Sequence, residues 1–434
     1  MRDTTRRRIC RIAFLALCIG PTVAIGSWAS YWQTSQFADR QARQWQQRIG
    51  QFTGLRAVVG KAWSPTPNSI VLERVELWEP AGDEPLVKAS TVEIYLRDDV
   101  WVLEASYPEI AVDGLGPLLR RFNQRLLRDA SDPTAARLLT PELTLRTLDG
   151  DASLANVSLS FRSRGERGAE CELRFGMAGE DHDEPVRLVA QRRRNGEHWA
   201  TLGELSTGGA SLPWSTIRSF AADWIDLGEA AEFQGDVEWA AWEATGEDTW
   251  RVSKGELYNL ELDRLVTDFF PYKMSGDIRI GNIQAQAVNG ALEFFSGELH
   301  SSSAGVASRR LVESLEKHAG LHAALPPAAD DGSTNRLLRY SQLGVAFEIR
   351  SNGFATLTPL CAGPLQGAIM LDGEQAPLIL AADSRETPVA SLVKGFTGDN
   401  RLTVSATTAS AKLLSKLPLP SGRERAGSLR LRDE

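Results

Sequence analysis

The sequence predicts a mainly β protein in which an N-terminal transmembrane helix precedes meandering, antiparallel, curved sheets with a few covering amphipathic helices. Three observations predict this fold class. Apolar and polar residues alternate with a period of two through much of the chain, as in the segment SIVLERVELW at residues 69–78. Asn-Gly and Asp-Gly pairs, which supply the positive φ angles of tight hairpin turns, recur between such segments. An uncharged run of 21 residues stands near the start.

The composition is that of a globular protein and excludes several functional classes. Of the 434 residues, 42% are hydrophobic and 24% are charged. The formal net charge of -8 offers no basic stripe, so nucleic acid is not expected as a partner. Four cysteines are too few for a disulfide scaffold. Cys171 and Cys361 can pair with each other or remain buried thiols, and the unpaired state is favoured.

The uncharged run at residues 12–32 predicts a single transmembrane helix, because at 1.5 Å per residue it spans about 30 Å, the thickness of one bilayer core. Residues 1–11 form a basic tip, which the positive-inside rule keeps in the cytoplasm. The predicted flanks of this anchor are basic before the run and aromatic at its far end: Arg6, Arg7, Arg8, Arg11, Trp28, Tyr31 and Trp32. A cleaved signal peptide is the alternative interpretation.

Residues 33–52 predict a stalk helix with one narrow apolar seam. Phe37, Trp45 and Ile49 recur at multiples of four residues along this segment. We expect the seam to pack on the sheet that follows.

Two β-rich regions are expected beyond the stalk, at residues 53–230 and 231–420, followed by a flexible tail at 421–434. A linker rich in Pro, Ala, Asp and Gly lies near 320–335. The strands with the clearest alternation or turn signals are predicted at 69–78, 86–96, 99–106, 109–112, 186–193, 198–205, 232–242, 275–288, 291–300 and 343–350.

Four helices are predicted among these strands, at residues 115–128, 214–224, 307–318 and 388–394. The first is amphipathic and basic, with its leucines on one face and most of its arginines elsewhere. It is expected to lie over the sheet, and contact with anionic lipid headgroups is the alternative.

The start of the chain resembles the AsmA-like family. The resemblance is carried by Phe52-Thr53-Gly54, Ser64-Pro65, the strand at 69–78 with Pro80 behind it, and Leu86-Val87-Lys88-Ala89. It covers residues 12–113, and later stretches such as 294–299 are similar in style to the family's C-terminal repeats. The resemblance implies a single-pass protein of the inner (cytoplasmic) membrane of a Gram-negative cell, with the bulk of the chain in the periplasm. It also implies support of outer-membrane assembly and movement of lipids along a hydrophobic β-groove.

Two functional hypotheses follow, because a sheet with one apolar face must bury that face. In the first, membrane lipids are the partners, and their acyl chains lie on the alternating apolar residues of two neighbouring strands. The candidate groove residues are Val71, Val75 and Leu77 on the first strand, and Val92, Ile94 and Leu96 on the second. Packing in an ordinary core competes with this role at every one of them. In the second hypothesis the protein is a non-enzymatic structural scaffold whose edge strands engage envelope proteins.

No catalytic residue, cofactor or metal site is predicted, and the chain is not expected to be an enzyme. His318 and His322 share a helical spacing but lack the glutamate of a metalloprotease motif. The acidic cluster at 181–184 is interpreted as a charged turn. Arg192, Arg193 and Arg194 are interpreted as a solvated hairpin tip, with contact to lipid headgroups or an acidic partner as the alternative.

Overall fold

The computed structural model describes residues 12–32, 34–66, 68–80, 82–111, 114, 118, 135–146, 151–163, 165, 168–179, 184–195, 198–214, 216–217, 227–228, 230–243, 245–267, 270–325, 336–362, 367–382 and 386–397. The predicted tip, the predicted tail, and most of the linker and of the helices predicted at 115–128 and 214–224 lie outside these residues. The fold is mainly β, and the chain forms two compact units, Met1–Arg162 and Ser163–Glu434.

The structure does not support the prediction of one continuous transmembrane helix over residues 12–32. A π-helix at Leu15–Ile19 precedes the α-helix α1, Gly20–Trp32. Pro21 lacks the N–H that would continue the regular ladder, and the Thr22 hydroxyl donates to the Cys18 carbonyl at 2.6 Å. Within the described residues, no helix has both the length and the hydropathy needed to cross a membrane.

Helix α2, Ser35–Thr53, occupies the predicted stalk. Thr34 caps its first turn by accepting a hydrogen bond from the backbone N–H of Phe37, and Gly54 ends it in the left-handed conformation with φ 71°. Trp45 and Ile49 of the predicted seam pack on the sheet together with Ala42, and Gln46 Nε2 donates to the carbonyl of Val59 at 3.1 Å.

The sheet of the first unit has seven strands: β1 Arg56–Thr66, β2 Ser69–Trp78, β3 Pro85–Arg97, β4 Val100–Ser106, β5 Glu109–Ala111, β6 Ala135–Arg146 and β7 Asp151–Ser163. Strands β4 and β5 form two halves of one line that pairs with β3 on one side and β6 on the other. The spatial order is therefore β1, β2, β3, β4 with β5, β6 and β7.

One pairing in this sheet departs from the predicted antiparallel meander. Strand β6 runs parallel to β4 and β5, whereas the other neighbours are antiparallel. A parallel pairing needs a long crossover connection, and residues 112–134 between β5 and β6 supply the length. The unit 1 sheet is therefore mixed.

The second unit contains the remaining strands, β8 Gly168–Met177, β9 Val186–Asn195, β10 His198–Ser206, β11 Leu212–Pro213, β12 Glu232–Trp242, β13 Glu247–Glu261, β14 Met274–Ser275, β15 Asp277–Val288, β16 Ala291–Ser301, β17 Gly305–Ser308, β18 His322–Ala323, β19 Leu337–Tyr340, β20 Gln342–Arg350, β21 Phe354–Pro359, β22 Ala368–Leu371, β23 Pro377–Leu380 and β24 Glu386–Pro388. A π-helix at Asp263–Thr267 and helices α3, Arg309–Ala319, and α4, Val389–Thr397, complete it.

The second unit is the predicted antiparallel meander. Strands β8, β9, β10, β12, β13, β15, β16, β20 and β21 pair in that order, each antiparallel to the next. The first residues of β20 pair instead with β22, which continues through β23 to β18. Strands β14, β17 and β19 form a separate small sheet. Helices α3 and α4 pack on each other beside these short strands.

Candidate functional site: an apolar sheet face

One face of the unit 1 sheet is apolar from β1 to β7, and we call it the apolar face. The strand registers align its side chains in four rows across the sheet. The rows are Ile70, Ile94, Leu103, Leu138 and Leu159; Ala62, Leu72, Val92, Ala105, Thr140 and Val157; Val59, Val75, Ala89, Pro108, Leu143 and Leu154; and Ala57, Leu77, Val87, Ile110, Leu145 and Ala152. None of these residues is ionisable, and the one hydroxyl, on Thr140, donates to the carbonyl of Glu142 at 2.7 Å.

The two middle rows of the apolar face are buried, and the two outer rows are largely half-buried. Helix α2 covers the part formed by β1, β2 and β3, where Ala42, Trp45 and Ile49 pack against the middle rows. The apolar face is therefore buried along its two middle rows, under α2 and beyond it, and partly accessible along its two outer rows.

A line of left-handed residues crosses the sheet between the two middle rows. Arg74, Tyr107 and Asn156 have φ angles of 53°, 48° and 53°. They lie on alternate strands of the spatial order, namely β2, the junction of β4 with β5, and β7. At this line every strand has two buried residues three positions apart, such as Leu72 and Val75, instead of two or four. The line therefore shifts the alternation by one residue in all strands together and keeps the face apolar on both sides.

The shift at Arg74 corrects the predicted groove on β2. Val75 and Leu77 are on the apolar face, but Val71 is on the opposite face, where it pairs with the exposed Trp63. A strict period of two would have placed Val71 and Val75 together, and the left-handed residue between them reverses the side.

The predicted groove residues of β3 all lie on the apolar face, at different depths. Val92 and Ile94 are buried in the core under α2. Leu96 is 47% exposed and pairs directly with Trp101, which is 44% exposed, beside the β3–β4 turn. The residues that β4, β6 and β7 add to the apolar face were not predicted, although the alternation of Leu143 and Leu145 could have indicated those of β6.

The second unit carries an apolar face of its own. One row joins Phe233, Leu257, Ile280, Leu299 and Val345 through consecutive strand pairs. In the next two rows Phe347 pairs with Gly297 and Phe295 pairs with Ile349, so that the two phenylalanine rings lie diagonally, 5.0 Å apart. Most of the side chains on β16 and β20 are half-buried.

Charged side chains of the second unit pair with one another across the polar side of the sheet. Arg279 bonds Glu256 at 2.6 Å and lies over the ring of Tyr258. The hydrogen bond from Arg187, at 2.6 Å, lowers the pKa of the Glu172 carboxyl below its usual value. On the polar side, these carboxylates and guanidinium groups therefore neutralise one another in pairs.

The predicted basic hairpin tip contains one buried arginine. Arg192 is 7% exposed, and its guanidinium bonds both carboxylate oxygens of Glu243 at 2.9 and 3.0 Å. It also stacks on the ring of Trp199, with 4.9 Å from the guanidinium carbon to the ring centroid. Arg193 and Arg194 are exposed, so the interpretation as a solvated tip holds for them and not for Arg192.

Neither the cysteines nor the polar cavity of the second unit forms a reactive or metal-binding site among the described residues. Cys171 and Cys361 are both free, and burial raises the pKa of Cys171 to about 12, so that this thiol stays protonated. Among the described residues, no group of three His, Cys, Asp or Glu side chains could hold a metal ion. A polar cavity of about 280 Å³ in the second unit is lined by Ser301, Ser341 and others, but both hydroxyls bond backbone groups.

The predicted anchor flanks are only partly described. The backbone of Trp28, Tyr31 and Trp32 belongs to α1, whereas their side chains and the arginines of the tip lie outside the described residues. All described side chains of the apolar run, at residues 12–27, are exposed. In comparisons with known proteins, no protein-family model, curated protein or solved structure matches the chain.

Proposed function

We propose that this protein holds phospholipid acyl chains on its apolar face while its N-terminal helix keeps it at the inner membrane. The observation that carries the proposal is the apolar face itself, which crosses six strand positions without an ionisable side chain and is half-buried along its outer rows. Such a surface is stable in water only if something apolar covers it.

The dimensions of the apolar face suit an acyl chain. Six strand positions about 4.8 Å apart give a width of about 24 Å. One acyl chain spans roughly half of a 30 Å bilayer core, or about 15 Å. Transfer of each CH₂ from water to such a surface contributes about 0.8 kcal/mol. An acyl chain that lies along an outer row is therefore stabilised by the sum of many such contributions, which exceeds the free energy of burying any single side chain of that row.

The N-terminal segment supports the proposed location. Residues 12–32 carry no charge, and the side chains of residues 12–27 are exposed, so residues 12–27 contribute nothing to the core of the first unit. With the basic residues before it, it fits a single-pass anchor with a cytoplasmic N-terminus. Together with the AsmA-like start, this supports a periplasmic role in envelope assembly, with lipids as the primary partners.

A photo-crosslinking amino acid placed on β2 tests the proposal. Leu77 and Glu76 are neighbours and are both half-buried, but only Leu77 lies on the apolar face. In cells, the reactive group at position 77 is expected to capture phospholipid, detected by mass spectrometry of the purified chain. The same group at position 76 serves as the matched control and is expected to capture none.

The opposite result would favour the scaffold hypothesis. Capture of one defined envelope protein at position 76, with no lipid at position 77, would contradict the lipid proposal and support a protein-binding scaffold. Equal lipid capture at both positions would also contradict it, because the apolar face would then have no special affinity.

A further inference from the structure

Three large apolar side chains are exposed together at one end of the unit 1 sheet. Trp63 is 46% exposed near the end of β1, and Leu96 and Trp101 flank the β3–β4 turn. Trp63 lies on the face opposite to Leu96 and Trp101. These three residues, which we call the rim, therefore surround the end of the sheet on both sides instead of extending one face.

The direction of helix α2 shows which end this is. The helix ends at Thr53, next to the start of β1 at Arg56, and Gln46 bonds Val59 further along the strand. Helix and strand are therefore antiparallel. Over its 19 residues the helix extends about 28 Å, so its first turn lies at the level of the last residues of β1.

The rim is thus at the end of the unit where the apolar N-terminal segment joins α2. Helix α1 ends at Trp32, and α2 begins three residues later at Ser35. The chain itself therefore brings the end of the exposed apolar run to the level of the rim. Phe52, which is 52% exposed, lies at the opposite end of α2.

We infer that the rim inserts into the interface of the bilayer to which the N-terminal segment is attached, an inference that rests on the proposed function. Tryptophan side chains favour the headgroup level, where the ring is dry and the indole N–H keeps a polar partner. The indole N–H of Trp63 donates to the carboxylate of Glu73 at 3.2 Å. The β3–β4 turn carries Arg97, Asp98 and Asp99, whose charges sum to -1. The contact therefore depends on apolar side chains and has no preference for anionic lipid.

Depth-dependent quenching of a fluorescent amino acid tests this inference. The full chain is reconstituted into phosphatidylcholine vesicles with brominated acyl chains, carrying the probe at position 63, 101, 52 or 84. Positions 63 and 101 belong to the rim. Phe52 and Glu84 are exposed residues at the other end of the unit and serve as controls. Near-ultraviolet circular dichroism of each labelled chain checks that the fold is intact.

The expected result is fluorescence reduced about twofold or more at positions 63 and 101, and unchanged at 52 and 84, since only the interface residues approach the lipid. Adding phosphatidylglycerol is expected to change nothing. Equal quenching at all four positions would overturn the inference. Quenching at 101 without quenching at 63 would also overturn it, because it would locate lipid on the apolar face and not around the rim. Lipid capture at Leu77 does not depend on either outcome.

Discussion

At the scale of single residues, the fold depends on close approaches that only a small residue permits. Gly203 on β10 pairs with Trp239 on β12, and the indole ring lies directly over the glycine. A Cβ atom at this glycine would stand 1.8 Å from the ring. The glycine therefore makes the space that the tryptophan fills, a relation between strands that no local pattern reveals.

We expect Gly203→Ala to destabilise the second unit by about 1–3 kcal/mol, since the ring of Trp239 must leave its place. The measurement is the midpoint of urea unfolding followed by tryptophan fluorescence. Gly281→Ala on β15 is the matched control, because the nearest atom to its added Cβ is 3.9 Å away on an arginine side chain. A midpoint that falls equally in both variants would contradict the role assigned to Trp239.

At the scale of secondary-structure elements, strands β2 to β5 of the first unit were predicted, whereas β6 and β7 were not, and the sides of the residues were predicted only in part. The predicted segment 69–78 is the whole of β2, and the predicted 86–96 differs from β3 by one residue at each end. The left-handed residues that shift the alternation include an arginine and a tyrosine, whose type gives no warning of a positive φ. Strand β13 was not predicted, because its bulges and the left-handed Asn259 interrupt the period of two.

Asn156 allows the line of left-handed residues to be tested without disturbing the core, since its side chain is exposed. Asparagine tolerates the left-handed region, whereas valine does not. We expect Asn156→Val to lower the free energy of unfolding by about 1–2 kcal/mol. Asn156→Gly is expected to be neutral or stabilising.

Ser158→Val, two residues further along β7, is the control for this series. Its φ angle is not positive, and valine suits a strand there. Thermal unfolding of the three variants gives the comparison. A loss of stability in Ser158→Val as large as that in Asn156→Val would show that the backbone conformation at Asn156 is not the cause.

At the scale of the whole molecule, the first unit separates into a segment that makes no core and a helix that completes one. The side chains of residues 12–27 are exposed, whereas Ala42, Trp45 and Ile49 of α2 pack against the middle rows of the apolar face. The two helices are adjacent in the chain, but residues 12–27 add no side chain to the core, whereas α2 covers the part of the sheet formed by β1, β2 and β3.

Truncation distinguishes these two roles. A chain that begins at residue 33 is expected to keep the unfolding temperature of the full chain and to lose its association with the membrane fraction of cells. A chain that begins at residue 54 lacks α2 and is expected to be less stable by about 1.5–3 kcal/mol for each large side chain removed from the core. Thermal unfolding and cell fractionation measure the two effects. Membrane association that survives removal of residues 1–32 would contradict the anchor.

The candidate site was predicted only in part, because alternation is a local property whereas the burial of the site depends on residues far away in the sequence. Alternation placed Val71, Val75 and Leu77 on one face of their strand and Val92, Ile94 and Leu96 on one face of theirs. All of these except Val71 lie on the apolar face. Burial of Val92 and Ile94 under α2 depends on a helix that precedes them by about forty residues. Alternation reports which residues avoid water, and it does not report what covers them.

The sequence by itself determined that strands dominate, where many of them begin and end, and that α2 presents an apolar seam to a sheet. These properties are local, because side-chain alternation, turn residues and helix caps act within a few residues. Only the tertiary structure decided that β6 runs parallel to β4 and β5, that Val71 lies opposite Val75, and that Arg192 is buried against Glu243. Each of these depends on a strand or partner brought near by the whole fold, and the register of such a pairing is fixed by the packing of distant residues and not by neighbours in the chain.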